Sequence, residues 1–293
     1  MPKLLTLFLL FCTTHLLAQD TVLIRDEMLA RFESGGKKLR RFHLERKAPA
    51  EGTWAGYEIA PLTTYVSRGE TAEDAGRWLL YATGQQAAGL RKGWWRYYGV
   101  ENHTWRHVLL EEAQFSNGLR DGESISYFTD GKVAARTQWV AGKRQGLATI
   151  YYPHGEVYAT GTWRNDQLDG TVRAYLPKAF PLRIMNYRMG KLHGPFKTYH
   201  PNAQLKEEGS YVDDQLNGNY RYYYPNGRLW VEREYRRDQL MNILTLYSAT
   251  GQPLEKGSLK DGEGTVHLYN ESGQRTATRY LEKGLVVKEE KLP

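Results

Sequence analysis

The stretch Gly218-Asn219-Tyr220-Arg221-Tyr222-Tyr223-Tyr224-Pro225-Asn226-Gly227 reads as a short strand running into a turn. Its aromatic residues suit a pleated strand. Pro225 fixes φ at the first turn position, and Asn226 and Gly227 supply the left-handed end. A second strand, Leu229 to Tyr235, follows with imperfect alternation of apolar and polar residues. A polar turn then leads into the next segment, so the whole unit is a β-hairpin.

The unit recurs along the chain. Gly122, Gly146, Gly170, Gly194 and Gly218 lie 24 residues apart, and Asn242 takes the next place. Five residues after each comes Tyr127, Tyr151, Tyr175, Tyr199, Tyr223 and Tyr247. Seventeen after each comes a large residue: Trp139, Trp163, Tyr187, Tyr211, Tyr235 and Leu259. A last unit opens at Gly264 with Tyr269 in register, two residues early, and an upstream unit opens at Gly93 and Tyr98, stretched to 29 residues. Gly52 with Tyr57, and Gly76 with Tyr81, continue the spacing faintly. A fixed period of this length signals a repeat architecture. Apolar residues do not recur at i, i+3 and i+4 over a dozen positions, so the repeats are not helical.

Composition agrees. The 293 residues include 21 Tyr, 8 Trp and 29 Gly, too aromatic for a disordered chain. One Cys excludes a disulfide framework and a cysteine-rich zinc site. Lys plus Arg is 40 against 33 Asp plus Glu, and this +7 excess is too modest to point to nucleic acid. Lys3 precedes an apolar run from Leu4 to Phe11 and a small residue, Ala18, which together read as a signal peptide over residues 1–18, cleaved after Ala18. Residues 19–92 read either as degenerate repeats or as an N-terminal cap, and 93–293 as an array of about eight units.

These residues resemble the bacterial MORN-variant repeats (membrane occupation and recognition nexus). The motif is carried by Gly146 to Gly155 with Gly161-Thr162-Trp163, and by Gly194 to Ala203 with Gly209-Ser210-Tyr211. The unit from Gly218 ends in Arg233-Glu234-Tyr235 and lacks the strand glycine. The resemblance implies an all-β fold: an elongated, single-layer antiparallel sheet of stacked hairpins. It also implies a binding scaffold. Many such proteins are labelled YwqK-type antitoxins, whose usual setting is the cytosol.

The repeat itself accounts for Tyr98, Tyr127, Tyr151, Tyr175, Tyr199, Tyr223, Tyr247 and Tyr269, for Trp139 and Trp163, and for Gly146, Gly170, Gly194 and Gly218. The Tyr rings are expected to stack along one face, packing on the bare backbone of Gly161, Gly209 and Gly257. Binding candidates are the basic row Arg173, Lys197 and Arg221 on that Tyr face, Trp105 in the stretched unit, and Phe180 in an enlarged turn between Pro177 and Pro181. The row suits an anionic ligand, and its bland alternative is aliphatic stems covering the Tyr rings. His103 and His107, with Glu111 and Glu112 nearby, lack the helical context that would set metal-ligand geometry. No catalytic, metal or cofactor-binding residue is expected.

The sequence thus reads as an exported (periplasmic, outer-envelope or secreted), non-enzymatic scaffold presenting an extended β surface to another protein. Two alternatives stay open: an immunity-type protein that neutralises a toxin, and an envelope module for glycan or anionic lipid.

Overall fold

The computed structural model describes residues 52–60, 78–100, 107–270 and 272–292. The expected signal peptide, its cleavage after Ala18, and Trp105 lie outside the described residues. Contacts group the chain into two units, one running to residue 155 with 164–167, the other comprising 156–163 and 168–293. Among the described residues there is no α-helix, only strands, turns and one short 3-10 turn at Pro177–Ala179.

The first unit holds β1 (Gly52–Ala60), β2 (Trp78–Ala87), β3 (Leu90–Val100), β4 (His107–Ser116), β5 (Leu119–Tyr127), β6 (Val133–Val140) and β7 (Lys143–Tyr151). Each pairs antiparallel with the next. Tyr57 lies directly opposite Tyr81. In the array, strands of equal phase have another strand between them, and Gly76 lies outside the described residues.

The second unit, apart from Arg164 and Gln167 at strand ends, holds β8 (Val157–Arg164), β9 (Gln167–Leu168), β10 (Gly170–Leu176), β11 (Phe180–Arg188), β12 (Lys191–Leu192), β13 (Gly194–Tyr199) and β14 (Leu205–Val212). Then follow β15 (Gln215–Leu216), β16 (Gly218–Tyr223), β17 (Leu229–Arg236) and β18 (Gln239–Leu246). A separate sheet closes the unit, made of β19 (Gly264–Tyr269), β20 (Arg275–Glu282) and β21 (Leu285–Lys291).

Two kinds of turn explain the period. After the second strand of each hairpin, two residues of positive φ make a type I′ connection, as at Asn165-Asp166 (φ 49°, 66°) and Asp213-Asp214 (φ 50°, 71°). The Asp carboxylates also cap the preceding repeat. Asp214 Oδ1 accepts from the Leu192 amide at 2.8 Å, and Asp238 Oδ1 from the Leu216 amide at 2.7 Å. After the first strand, the Pro-Asn-Gly turn closes with an amide-to-carbonyl bond such as Gly227 N to Tyr224 O at 2.8 Å. Its left-handed position is Gly155 at +96° and Gly227 at +81°, but Ala203 at +65°. An L-residue there is strained by about 1–2 kcal/mol. Ala203→Gly is therefore expected to raise stability by about 1 kcal/mol, measured by urea denaturation.

The repeat glycine has its own cause. Gly170 and Gly194 adopt φ of +115° and +100°, where the chain breaks between a two-residue strand and the main one. Asn242 stands at the same place, and there β18 runs unbroken.

The core is not on the Tyr face. Buried side chains come mainly from the second and fourth residues after the repeat glycine, such as Trp95, Val172, Ala174 and Phe196, and from the facing second strand, such as Ala135, Ala159 and Trp163. The fifth-position tyrosines are only half-buried. Gly209 does make room for rings, but a Cβ there would sit 2.9 Å from Phe196 and 3.4 Å from Tyr220, both second-position residues. The expected packing of fifth-position rings on glycine is thus replaced by packing on the opposite face.

A bulge explains why the second strands alternate imperfectly. One residue is skipped in the ladder of several hairpins, Ala134, Leu182, Lys206 and Trp230 in four of them. A single extra residue shifts the alternation of everything beyond it.

The array also departs from the repeat at residues 247–263, where the expected strand reaching Leu259 is irregular. Pro253 lies in it, and Gly257 takes φ +91°. The segment still bridges its neighbours: Leu254 N donates to Leu246 O at 2.9 Å, and Leu259 N to Thr265 O at 3.0 Å. Val231, Ile243 and Leu246 pack with Val266 and Leu281, so the terminal sheet rests on β17 and β18.

Candidate binding faces

The basic row lies on the Tyr face, but it does not stand alone. Across the strands of the second unit the directly opposed residues run Thr160, Arg173, Ile184, Lys197, Glu208, Arg221, Glu232 and Thr245. Lys197 Nζ is 3.4 Å from Glu208, and Arg221 is 2.8 Å from Glu232 and 3.7 Å from Glu208. Two of the three candidate cations are therefore already matched by carboxylates within the sheet. Arg173, opposite Thr160 and Ile184, is exposed and has no ion pair among the described residues.

The Tyr hydroxyls join the same network. Tyr223 Oη donates to Glu208 at 2.8 Å, and four repeats earlier Tyr127 Oη donates to Glu112 at 2.6 Å while Arg96 reaches the other oxygen at 2.8 Å. Burial pushes both Tyr127 and Tyr223 up to about 12, and the bonded carboxylates add to the shift. Burial alone would raise Glu208, but the Tyr223 hydroxyl and the Lys197 ammonium hold it below the usual carboxylate range. Glu112 is lowered in the same way by Tyr127 and Arg96.

A carboxylate whose folded value is depressed adds stability above its unfolded value and loses it as pH falls through the folded one. A tyrosine whose folded value is raised adds stability below pH 10 and loses it as pH climbs toward 12. The thermal midpoint is therefore expected to hold a plateau near neutrality, fall in acid below about pH 4.5, and fall again above about pH 10. Tyr127→Phe combined with Tyr223→Phe flattens the alkaline limb. An unchanged limb in that variant contradicts the assignment.

Glu111 and Glu112 point to opposite faces of β4. Glu111 holds Arg120 with contacts of 2.5 and 2.8 Å, and Glu112 holds Arg96. They do not form a carboxylate pair. Among the described residues no three His, Cys, Asp or Glu side chains gather to hold a metal.

Phe180 is 46% exposed. It lies opposite Leu176, whereas Arg173 and Tyr175 lie opposite Ile184 and Pro181. By alternation the phenyl ring belongs to the face away from Arg173, so these two candidates do not form one site.

The opposite face of β13, β14, β16 and β17 carries a richer constellation. Phe196 packs against Tyr211 at 4.9 Å and Tyr220 at 6.3 Å, and Tyr220 meets Tyr235 edge-on at 5.8 Å. Trp230, brought over by the bulge, stacks on Tyr224 at 5.0 Å and meets Tyr222 edge-on at 5.4 Å. Two cations lie among these rings, Lys206 Nζ at 5.9 Å from the Tyr222 centroid and Arg233 at 5.9 Å from the Tyr220 centroid. The sequence shows the tyrosines of Gly218 to Tyr224 and the missing strand glycine at Arg233, but alternation alone does not bring them together, because the bulge decides which residues share the face.

No curated protein matches the chain. A solved structure titled "Crystal Structure of TcdB2-TccC3-Cdc42" shows 10% identity, covering 80% of this chain and 13% of that one, with a TM-score of 0.17, too low to carry an argument. The family model described as MORN repeat variant matches residues 192–213 and 216–237, and the one described as MORN repeat matches 112–133 and 138–157. The variant matches start 24 residues apart, in step with the period of the hairpins. Over these segments the chain is similar to MORN-type repeats.

Proposed function

We propose that the chain is an exported, non-enzymatic repeat scaffold that binds another protein. The observation that carries this reading is the contrast between the two faces of the second unit. On one, Lys197 and Arg221 alternate with and are matched by Glu208 and Glu232, leaving Arg173 as the unpaired cation of the row. On the other, Tyr, Trp and Arg side chains cluster, the types that dominate the energy of protein interfaces. The self-matched charges of the first face argue against the basic row as a strong anion site for glycan or lipid, since exposed pairs of this kind leave little net field.

The reading is tested by proximity labelling from the full-length chain in its native cells, with N-terminal sequencing of the recovered protein. The expected result is a mature start at Gln19 and a recurrent protein partner. An uncleaved start contradicts export, and the absence of any recurrent partner contradicts the scaffold role.

A further inference from the structure

The strand glycine is the repeat's own device for seating rings, and Gly161 and Gly209 supply it in two hairpins of the second unit. In β17 the same position is Arg233. A large cation thus replaces the one residue that has no side chain, in the middle of the aromatic face.

The structure shows what the replacement leaves open. Arg233 sits opposite Tyr220 on one side and Ile243 on the other. Its Nε is buried and has no hydrogen-bond partner. Leaving a buried charged donor unmatched is unfavourable unless something outside supplies an acceptor. The carboxylate on this face, Glu207, accepts from Thr198 Oγ1 at 2.9 Å and from Tyr220 Oη at 2.6 Å and forms no ion pair with Arg233. Lys206, the bulge residue, has no ion pair among the described residues either, and lies beside Tyr222. The aromatic face therefore carries two cations, Lys206 and Arg233, against one carboxylate, Glu207, framed by half-buried rings, whereas the Tyr face balances Lys197 and Arg221 against Glu208 and Glu232.

Resting on the protein-binding reading above, we propose that the aromatic face of β13, β14, β16 and β17 docks an acidic segment of a partner protein. A carboxylate of that segment meets the guanidinium of Arg233, and its apolar or aromatic neighbours pack on Tyr211, Tyr220 and Tyr235. The charge on the face selects an acidic partner. The planar fork of Arg, rather than a lysine point charge, suits a carboxylate held in two bonds. The rings provide contact area with little side-chain entropy to lose.

The test uses the full chain and a fluorescent copolymer of Glu and Tyr as probe, followed by anisotropy at low and moderate salt. A Lys–Tyr copolymer and polygalacturonate serve as comparisons. The wild type is expected to bind the Glu–Tyr probe, more weakly as salt rises, and to ignore the Lys–Tyr one. Arg233→Gly restores the residue used at Gly209, so the fold is kept, and thermal melting checks this. It is expected to weaken binding at least tenfold. Arg233→Lys is expected to fall between the two, while Lys197→Ala with Arg221→Ala leaves binding unchanged.

Unchanged binding in Arg233→Gly, or no binding of the Glu–Tyr probe by the wild type, overturns the proposal. Equal or tighter binding of polygalacturonate overturns the choice of a protein and makes the ligand an acidic glycan. If proximity labelling recovers a partner that Arg233→Gly still binds, only this inference fails. If it recovers none, the scaffold reading fails with it.

Discussion

Replacing Trp95 by alanine is expected to destabilise the first unit by about 3–5 kcal/mol. The indole is fully buried. Its Nε1 donates to Gln85 O at 2.9 Å, its edge meets Phe115 at 6.3 Å, and the Arg91 guanidinium lies 4.6 Å from the ring. Gly84 shows how closely the backbone approaches, since a Cβ there would stand 2.4 Å from the ring. A gap of that size in a thin sheet removes contacts that no second layer replaces. Urea denaturation followed by far-UV circular dichroism measures the loss. A change below about 1 kcal/mol would mean that the ring is not the centre of this core.

The second large effect concerns Glu111 and Arg120. Their side chains are 13% and 15% exposed and joined by two bonds. The guanidinium lies 5.6 Å from the Phe115 ring and 5.2 Å from that of Trp139. Glu111→Ala removes the carboxylate that bonds this buried cation twice and is expected to destabilise by about 3–5 kcal/mol. The repeat itself supplies the rescue. Two residues before the repeat glycine stands Arg91, Arg120 or Arg144 in the first unit, but Leu168, Leu192 and Leu216 in the second, and Leu240 before Asn242. Leu192 and Leu216 lie opposite Tyr187 and Tyr211, as Arg120 lies opposite Phe115. Arg120→Leu combined with Glu111→Leu is therefore expected to recover most of the loss, because apolar residues of similar volume often replace a buried ion pair without penalty. A double variant as unstable as Glu111→Ala alone would mean that the two kinds of repeat are not interchangeable at this position.

The fold was legible because the turns are local chemistry. Pro225-Asn226-Gly227 and the glycine spacing dictate hairpins without reference to anything distant. The buried face was not legible from alternation, because Lys206 and Trp230 are extra residues that change which side the second strand presents. Counting by twos from Leu229 to Tyr235 cannot register this. The basic row was legible as a row but not as a neutralised one. Glu208 and Glu232 recur 24 residues apart, as plainly as Lys197 and Arg221 do. Only the register brings them opposite each other. The same spacing also displayed the exchange of Arg for Leu before the repeat glycine, a signal that needed the ring contacts to acquire meaning.

On the proposal above, binding falls to the aromatic face of the second unit and not to the Tyr face. Affinity for the partner recovered by proximity labelling measures this most directly, comparing Tyr211→Ser with Tyr235→Ser on one face against Lys197→Ser with Arg221→Ser on the other. The first pair is expected to weaken binding at least a hundredfold, about 2.7 kcal/mol, and the second to leave it within about twofold. The reverse order, or equal loss in both, would contradict the account.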